Sequence, residues 1–260
     1  MTCLFEIRDL TIDLGGGRTP RRVIDGLDLD IPAGRTVALI GHNGSGKSTL
    51  LKALARQIEI TAGEIRTMGR PQRDWSPRDH ARALAYLPQY TPPAEGMTVR
   101  QLVALGRYPW HGALGRPSSE DRAAVEAAIA ECGLADYEGR LVDPLSGGER
   151  QRAWLAMLLA QGANALLLDE PISALDIAHQ IEVMNLVHRL SEAGRSVVVV
   201  LHDVNLAARF SDHIVALKGG KVVLNGSPDD LMQPEALSRV YGLAMDVVTR
   251  PGRSPLASAL

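Results

Sequence analysis

The pattern of apolar and polar residues at the start of the chain predicts β-strands. Apolar residues alternate with polar ones over residues 4–14 and again over 23–31, as they do in strands with one buried face. The turn signal Pro32-Ala33-Gly34 ends the second run, and a mostly apolar strand follows at residues 36–40. The sequence therefore predicts an N-terminal β region that leads into a further strand.

Strand and helix patterns then alternate. Predicted strands lie at residues 61–65, 84–89, 165–168, 196–201, 214–217 and 222–224, and predicted helices at 76–83, 176–190 and 229–241. The glycine pair at 219–220 predicts a hairpin between the last two strands. Because a strand, a helix and a second strand in succession form a right-handed crossover, residues 165–201 predict parallel strands buried on both faces.

The segment from residue 90 to residue 160 contains helical patterns and no strand pattern. Helices are predicted at 98–106, 118–132 and 149–162, separated by prolines. Thr98 and Ser118 are expected to be N-caps, the latter with Asp121 three residues on. We therefore expect an inserted helical subdomain over residues 90–160. The α/β core would comprise residues 1–89 and 161–245, and a C-terminal tail would follow at 246–260, which is expected to be loose from Arg250 onward.

A glycine-rich stretch joins the strand at 36–40 to a helix that is expected to begin near Lys47. Its residues are Gly41, His42, Asn43, Gly44, Ser45, Gly46, Lys47, Ser48 and Thr49. Glycines let successive N–H groups turn towards phosphate oxygens, and the start of a helix adds positive potential. Lys47 would reach the β- and γ-phosphates, and the Ser48 hydroxyl would ligate Mg²⁺. The sequence thus predicts a phosphate loop (P-loop) and the α/β fold of P-loop NTPases.

Three ionisable residues follow later apolar runs. Asp169 and Glu170 close the run at 165–168, and His202 comes after the run at 196–201. Parallel strands bring their carboxyl ends to one edge of a sheet, where the P-loop also opens. We therefore expect these three side chains to converge on the phosphates.

A serine and two glycines, Ser146, Gly147 and Gly148, come directly before the helix predicted from Glu149. Such a helix start is either an ordinary N-cap or an anion-binding site with the Ser146 hydroxyl as a donor. Taken alone the stretch favours the ordinary cap. The P-loop and the carboxylates elsewhere in the chain favour the anion site.

Composition restricts the class of function. A formal net charge of −2 argues against a general nucleic-acid binder. Cys3 and Cys132 have neither metal-site spacing nor a disulfide framework, which is typical of a reducing compartment. The N-terminus lacks a signal-peptide layout, and no apolar run approaches the roughly 18 residues that cross a bilayer. We expect a protein that is soluble or peripheral to a membrane.

In their order along the chain, these motifs resemble the ATP-binding subunit of ABC transporters. The motifs are the P-loop, Gln89 after a strand, Leu145–Gln151, Leu166–Glu170, Ser173–Asp176 and His202. The resemblance covers roughly residues 4–245 and implies one ABC ATPase domain over residues 1–245, with a RecA-like core, a parallel sheet, an N-terminal antiparallel β subdomain and the helical insertion. Residues 86–89, 92–99 and 106–116 are similar to the ATPases of iron–siderophore importers, and the last stretch to the ferric hydroxamate type in particular.

The resemblance implies a catalytic role for four residues, which are Lys47, Gln89, Glu170 and His202. Glu170 would polarise the attacking water, His202 would steady the γ-phosphate and that water, and Lys47 would offset developing charge. The implied Mg²⁺ ligands are Ser48, Gln89 and Asp169, the last through water.

The resemblance also implies partners. Two copies would close head to tail on two ATP molecules, with Ser146, Gly147, Gly148 and Gln151 of one copy acting on the ATP of the other and Asp176 lining the seam between them. A membrane permease would dock near Gln89 and the helical subdomain, at the cytoplasmic face of the inner membrane. A substrate-binding protein outside the membrane would be an indirect partner, and nucleic acid is not expected to be one.

Two positions depart from the family pattern. The aromatic residue that usually stacks on adenine is missing, and Leu14 or Arg18 would cover the base instead. A lost stack costs on the order of 1 kcal/mol, so we expect modest ATP affinity. Ile172 replaces a residue that usually carries a hydroxyl, and we expect this change to be tolerated.

Other readings of the sequence remain. An importer ATPase for haem, cobalamin or a metal ion would have very similar motifs. A soluble ABC-type ATPase of DNA repair or the ribosome is disfavoured because the chain has no long heptad insertion, no tandem second cassette and no basic excess. A nucleotide-binding regulator that does not hydrolyse ATP is disfavoured because both Glu170 and His202 are present.

Overall fold

The computed structural model describes residues 2–15, 20–112, 115–250 and 253–260. Its strands are β1 Cys3–Leu14, β2 Arg21–Pro32, β3 Thr36–Ile40, β4 Ala62–Thr67, β5 Arg70–Pro71, β6 Leu84–Leu87, β7 Ala165–Asp169, β8 Ser196–Val200, β9 His213–Lys218, β10 Lys221–Gly226, β11 Met245–Arg250 and β12 Arg253–Ala259. Its helices are α1 Lys47–Leu54, α2 Pro77–Ala83, α3 Val99–Leu105, α4 Tyr108–His111, α5 Ser119–Glu131, α6 Gly147–Ala160, α7 Ile177–Glu192, α8 Val204–Phe210, α9 Pro228–Leu231 and α10 Pro234–Tyr241. None of the helices in the described ranges combines the length and the apolar character needed to cross a bilayer.

The chain divides into two compact units. The first unit comprises Met1–Asp74 and His188–Leu260, and the second comprises Trp75–Val187. The division falls inside α7, so this helix belongs to both units.

The first unit contains an antiparallel sheet of order β2-β1-β4-β5. The apolar side chains of β1 are buried, and the buried positions pass from Phe5 and Ile7 to Leu10 and Ile12 where the pairing with β2 shifts its register. The predicted N-terminal antiparallel β region is therefore confirmed.

A second sheet of the first unit has the order β10-β9-β3-β8. β3 pairs in parallel with β8 and with β9, with Leu39 opposite Val200 and Val215. Every residue of β3 and β8 is buried, as expected of parallel strands covered on both faces. The predicted hairpin is confirmed as the antiparallel pair β9 and β10.

The second unit joins two parallel strands to a group of helices. β6 pairs with β7, with Leu87 opposite Leu168, and all five residues of β7 are buried. Thr98 caps α3 and Ser118 caps α5, each in a reciprocal capping box, so both predicted N-caps are confirmed. The α/β fold of the P-loop NTPases is confirmed, and the subdomain boundaries at residues 90 and 160 stay predictions.

The C-terminal residues correct two sequence predictions. The tail is not loose from Arg250 onward, because β11 and β12 pair antiparallel with Val247 opposite Ala257. The helix predicted over 229–241 is two helices, since Pro234 lacks the N–H that a continuing helix requires and instead begins α10. The short helix α8 was not predicted.

Candidate active site

The P-loop lies in the first unit between β3 and α1. Gly41 has a φ of +135°, and a Cβ at this position would lie 2.1 Å from the backbone oxygen of Leu217. Gly46 caps α1 with a φ of +106°, in the left-handed region that favours glycine. Close backbone approach and the left-handed turn explain why glycines occupy these positions.

Lys47 folds back over this loop. Its Nζ donates hydrogen bonds to the backbone oxygens of Gly41 at 2.8 Å and His42 at 3.1 Å, and the residue is 5% exposed. The neighbouring Ser45 hydroxyl is buried and has no hydrogen-bond partner in the described part of the chain. A buried ammonium group and an unsatisfied buried hydroxyl beside the start of an eight-residue helix fit the oxygens of a phosphate.

His202 lies at the same edge of this sheet. β3 ends at Ile40 just before the P-loop, and its parallel neighbour β8 ends at Val200, two residues before His202. The Leu201 amide continues the pairing with a 3.1 Å bond to the Leu39 oxygen. The first unit therefore carries the P-loop and an exposed imidazole at neighbouring strand ends.

Asp169 and Glu170 lie at the end of β7 in the second unit. Asp169 is 1% exposed, and the Tyr86 hydroxyl donates to its Oδ2 at 3.5 Å. Burial, together with the negative charge of Asp169, raises the pKa of the Tyr86 phenol. Tyr86 therefore stays protonated and acts as a donor to the carboxylate.

Glu170 has an unusual backbone conformation and a close partner. Its φ is +52°, in the left-handed region that side chains other than glycine seldom adopt. Gln89 Nε2 donates to Glu170 Oε2 at 2.6 Å, because the parallel pairing of β6 and β7 brings both strand ends to one edge. Strain of this kind is concentrated at functional sites.

Ser146 is the N-cap of α6. Its Oγ accepts from the Glu149 amide at 3.3 Å, and Glu149 Oε2 accepts from the Ser146 amide at 2.8 Å. Hydrogen bonds that the Ser146 hydroxyl and amide donate to the Glu149 carboxylate lower the pKa of Glu149. The ordinary cap is thus present, with the Ser146 hydroxyl bonded to both the amide and the carboxylate of Glu149.

Gly148 and Asp176 meet through His179, which sequence reasoning missed. A Cβ at Gly148 would lie 2.2 Å from His179 Cδ2. Asp176 Oδ1 accepts from the His179 amide at 3.0 Å, and His179 Nδ1 lies 2.9 Å from the same oxygen. These hydrogen bonds lower the pKa of Asp176. The spacing of Asp176 and His179 is that of a helix cap, which is the signal that could have revealed the contact.

The remaining predicted residues are placed as follows. Leu14 ends β1 and is 38% exposed, whereas Arg18 lies outside the described residues. Ile172 is 7% exposed, in keeping with its apolar side chain. Gln151 is half-buried on α6. No group of three or more His, Cys, Asp or Glu side chains with metal-binding geometry occurs within the described ranges.

The fold and the loop between β3 and α1 define a P-loop nucleotide-binding protein. The profile of the family described as ABC transporter matches residues 24–173. The iron(3+)-hydroxamate import ATP-binding protein of Bacillus subtilis (strain 168) is 43% identical over 242 residues, which cover 93% of this chain and 90% of that protein. A hemin import ATP-binding protein of Streptomyces coelicolor is 43% identical over 242 residues, which cover 93% and 84% of the two chains.

A solved structure shares the same fold. It is a dimeric ATP-binding cassette in a post-hydrolysis state, bound to ADP and Pi, with a TM-score of 0.74 and 27% identity over 86% of this chain and 98% of that one. The chain belongs to the ABC transporter family, as one of its ATPase subunits.

Proposed function

We propose that this protein hydrolyses ATP to drive an importer of ferric siderophores of the hydroxamate class. The cargo is inferred from a relative whose name gives iron(3+)-hydroxamate import. The hemin import relative makes haem the leading alternative cargo, ahead of cobalamin or a metal ion. The observation that carries the catalytic part is the 2.6 Å hydrogen bond between Gln89 and Glu170 beside the buried Asp169.

Two copies of the chain would form the complete site. In this arrangement the P-loop, Gln89, Asp169, Glu170 and His202 of one copy face Ser146, Gly147 and Gly148 of the other. Support comes from the position of Ser146 at the N-terminus of α6, a helix of 14 residues, and from a relative solved as a dimer. Hydrolysis would then require closure of the dimer, with Asp176 at the seam.

Mg²⁺ is proposed to be held by Ser48, Gln89 and Asp169. Hydroxyl, amide and carboxylate oxygens are the ligands that Mg²⁺ prefers, and Asp169 presents such a carboxylate at the end of β7. The bound ion would neutralise charge on the phosphates. Gln89 suits a double role, because its Nε2 donates to Glu170 whereas its Oε1 is an acceptor that can face a cation.

The other residues would position the nucleotide and polarise the attacking water. Glu170, oriented by Gln89, would accept a proton from the attacking water, and His202 would hold that water against the γ-phosphate. Lys47 would turn its ammonium group from the loop carbonyls to the phosphates. Leu14 or Arg18 would cover the adenine.

The proposed partners follow from the same assignment. A membrane permease would receive this subunit at the cytoplasmic face of the inner membrane, near Gln89 and the helical segment. The substrate-binding protein would act through the permease. Nucleic acid is not a proposed partner.

Substitution of Glu170 tests the catalytic assignment. Glu170→Gln is expected to bind ATP with unchanged affinity and to lose about 100-fold or more in turnover, since the base is gone. The variant should then accumulate as an ATP-bound dimer, which size-exclusion chromatography detects. Glu235→Gln changes an exposed carboxylate on α10 and is expected to behave as the unsubstituted protein. Unchanged turnover in Glu170→Gln would show that another group is the base.

A further inference from the structure

The C-terminal hairpin consists of β11 and β12. The side chain of Asn205 binds backbone groups of β12, as a neighbouring strand would. Asn205 Nδ2 donates to the Ala257 oxygen at 3.2 Å, and the Ala257 amide donates to Asn205 Oδ1 at 2.8 Å. One carboxamide thus satisfies both backbone groups of one residue. Such a bidentate pair fixes orientation as well as distance.

The geometry of β12 explains why Ala257 is available. In an antiparallel pair, the backbone groups of successive residues point alternately towards and away from the partner strand. Ala257 uses its amide and its oxygen on Asn205, so these groups point away from β11. Pro255 lies on the same outward edge, where a strand tolerates a residue without an N–H.

Asn205 lies in the first turn of α8, three residues after His202. Asp203 is the N-cap of this helix, and its Oδ1 accepts from the amides of Asn205 at 2.7 Å and Leu206 at 3.1 Å. Only Leu201 and His202 separate the end of β8 from this cap. The direction of the His202 backbone is therefore set by two anchors, the strand before it and the first turn of α8 after it.

The C-terminal segment reaches this turn at a second point. Tyr241, the last residue of α10, is half-buried, and burial together with the nearby Asp203 carboxylate raises its pKa to about 12. The phenol therefore lies near the N-cap of α8. The hydrogen bonds that tie α8 to the segment after β10 are those between Asn205 and Ala257.

We propose that Asn205 is a positioning residue for His202, with the C-terminal hairpin as the support against which it acts. The inference rests on the proposed function, in which His202 contacts the γ-phosphate. Loss of the Asn205–Ala257 pair would let the start of α8 shift, so that His202 meets the phosphate less often. Nucleotide binding by the P-loop would be retained.

Two variants break the pair from opposite sides. Asn205→Ala removes the carboxamide, and Ala257→Pro removes the amide that donates to it. Each is expected to lower kcat about three- to tenfold, the effect of one or two hydrogen bonds, with the KM for ATP changed by less than about twofold. The double variant should be no slower than either single variant, because all three lack the same contact.

A spectroscopic signal reports on His202 itself. The imidazole resonances of His202 in the full-length chain, assigned by their loss in His202→Ala, are expected to shift in both variants. The resonances of His213, which bonds Asn225 on the hairpin of β9 and β10, should stay in place. Gln233→Ala is the control, because this amide bonds the Asp229 oxygen within the C-terminal segment.

The outcomes separate this inference from the proposed function. Loss of activity in His202→Ala with normal kcat in Asn205→Ala would overturn the positioning role alone. Normal turnover in His202→Ala would overturn the role of His202 in the proposed function, and the inference with it. A rise in KM equal to the fall in kcat, or no shift of the His202 resonances, would show that Asn205 is merely structural.

Discussion

A single contact fixes the space available at Gly148. The ring of His179 occupies the position of a Cβ, with Cδ2 at 2.2 Å, and the same ring bonds Asp176 at 2.9 Å. Gly148→Ala would force the ring to move and give up that bond. We expect a loss of about 1–3 kcal/mol in the free energy of unfolding, measured by urea titration of tryptophan fluorescence.

Gly147→Ala is the matched control, one residue earlier on the same helix. A Cβ there would lie 3.5 Å from Leu175 Cδ2, an ordinary contact, and alanine favours a helix over glycine. This variant should be as stable as the unsubstituted protein or slightly more so. Equal losses in the two variants would mean that the His179 ring is not the obstacle.

Candidate residues can be found from the sequence where the motif is local. The spacing from Gly41 to Ser48 and the position of Asp169 at the end of an apolar run each involve only a few neighbouring residues. The contacts of Tyr86 and Asn205 are with partners 83 and 52 residues away. No short pattern contains such a pair, so only the folded chain reveals it.

Asp121 joins the start of α5 to Arg107, and the stability that its hydrogen bonds provide should depend on pH. Its carboxylate accepts from the Ser118 amide and from Arg107 Nε, both at 2.8 Å. These bonds lower its pKa to about 2, below the usual value of 3.8. The stabilisation is therefore present above about pH 4 and is lost as the pH falls towards about 2.

Asp121→Asn should consequently destabilise the protein by about 1.5–3 kcal/mol at pH 6, the range for hydrogen bonds to charged groups. The difference from the unsubstituted protein should shrink as the pH approaches 2, as followed by urea unfolding at several pH values. Asp136→Asn removes an exposed carboxylate and should show no such trend. A difference that is constant with pH would contradict ionisation of Asp121 as the cause.

Elements with a strong period or a clear cap were predictable from sequence. β1, β3 and α5 follow apolar periodicity and capping residues, which act over neighbouring positions. The seven residues of α8 are too few to establish a helical period. The hairpin of β11 and β12 forms although the prolines and the glycine from residue 251 onward predict a loose tail. Pairing between the two strands and the bond to Asn205 prevail over that local composition.

The chain as a whole is expected to work within a membrane complex. Its relatives are named as import subunits rather than as soluble ATPases. We therefore expect the tagged protein to co-purify from its native membranes with a permease of many spans.

The complex should respond to cargo. Addition of binding protein loaded with a ferric hydroxamate is expected to raise ATPase activity, because the ligand signal reaches the nucleotide site through the permease, and haem-loaded protein should not. Glu170→Gln is a matched control: it should recover the same permease, since docking does not need hydrolysis, and show no stimulated turnover. Stimulation by haem-loaded binding protein would show that haem is the cargo, and the assignment of the protein to an importer would be unaffected. Recovery of ribosomes or nucleic acid without a membrane partner would contradict the proposed role in transport. The proposal that the P-loop binds ATP would be unaffected.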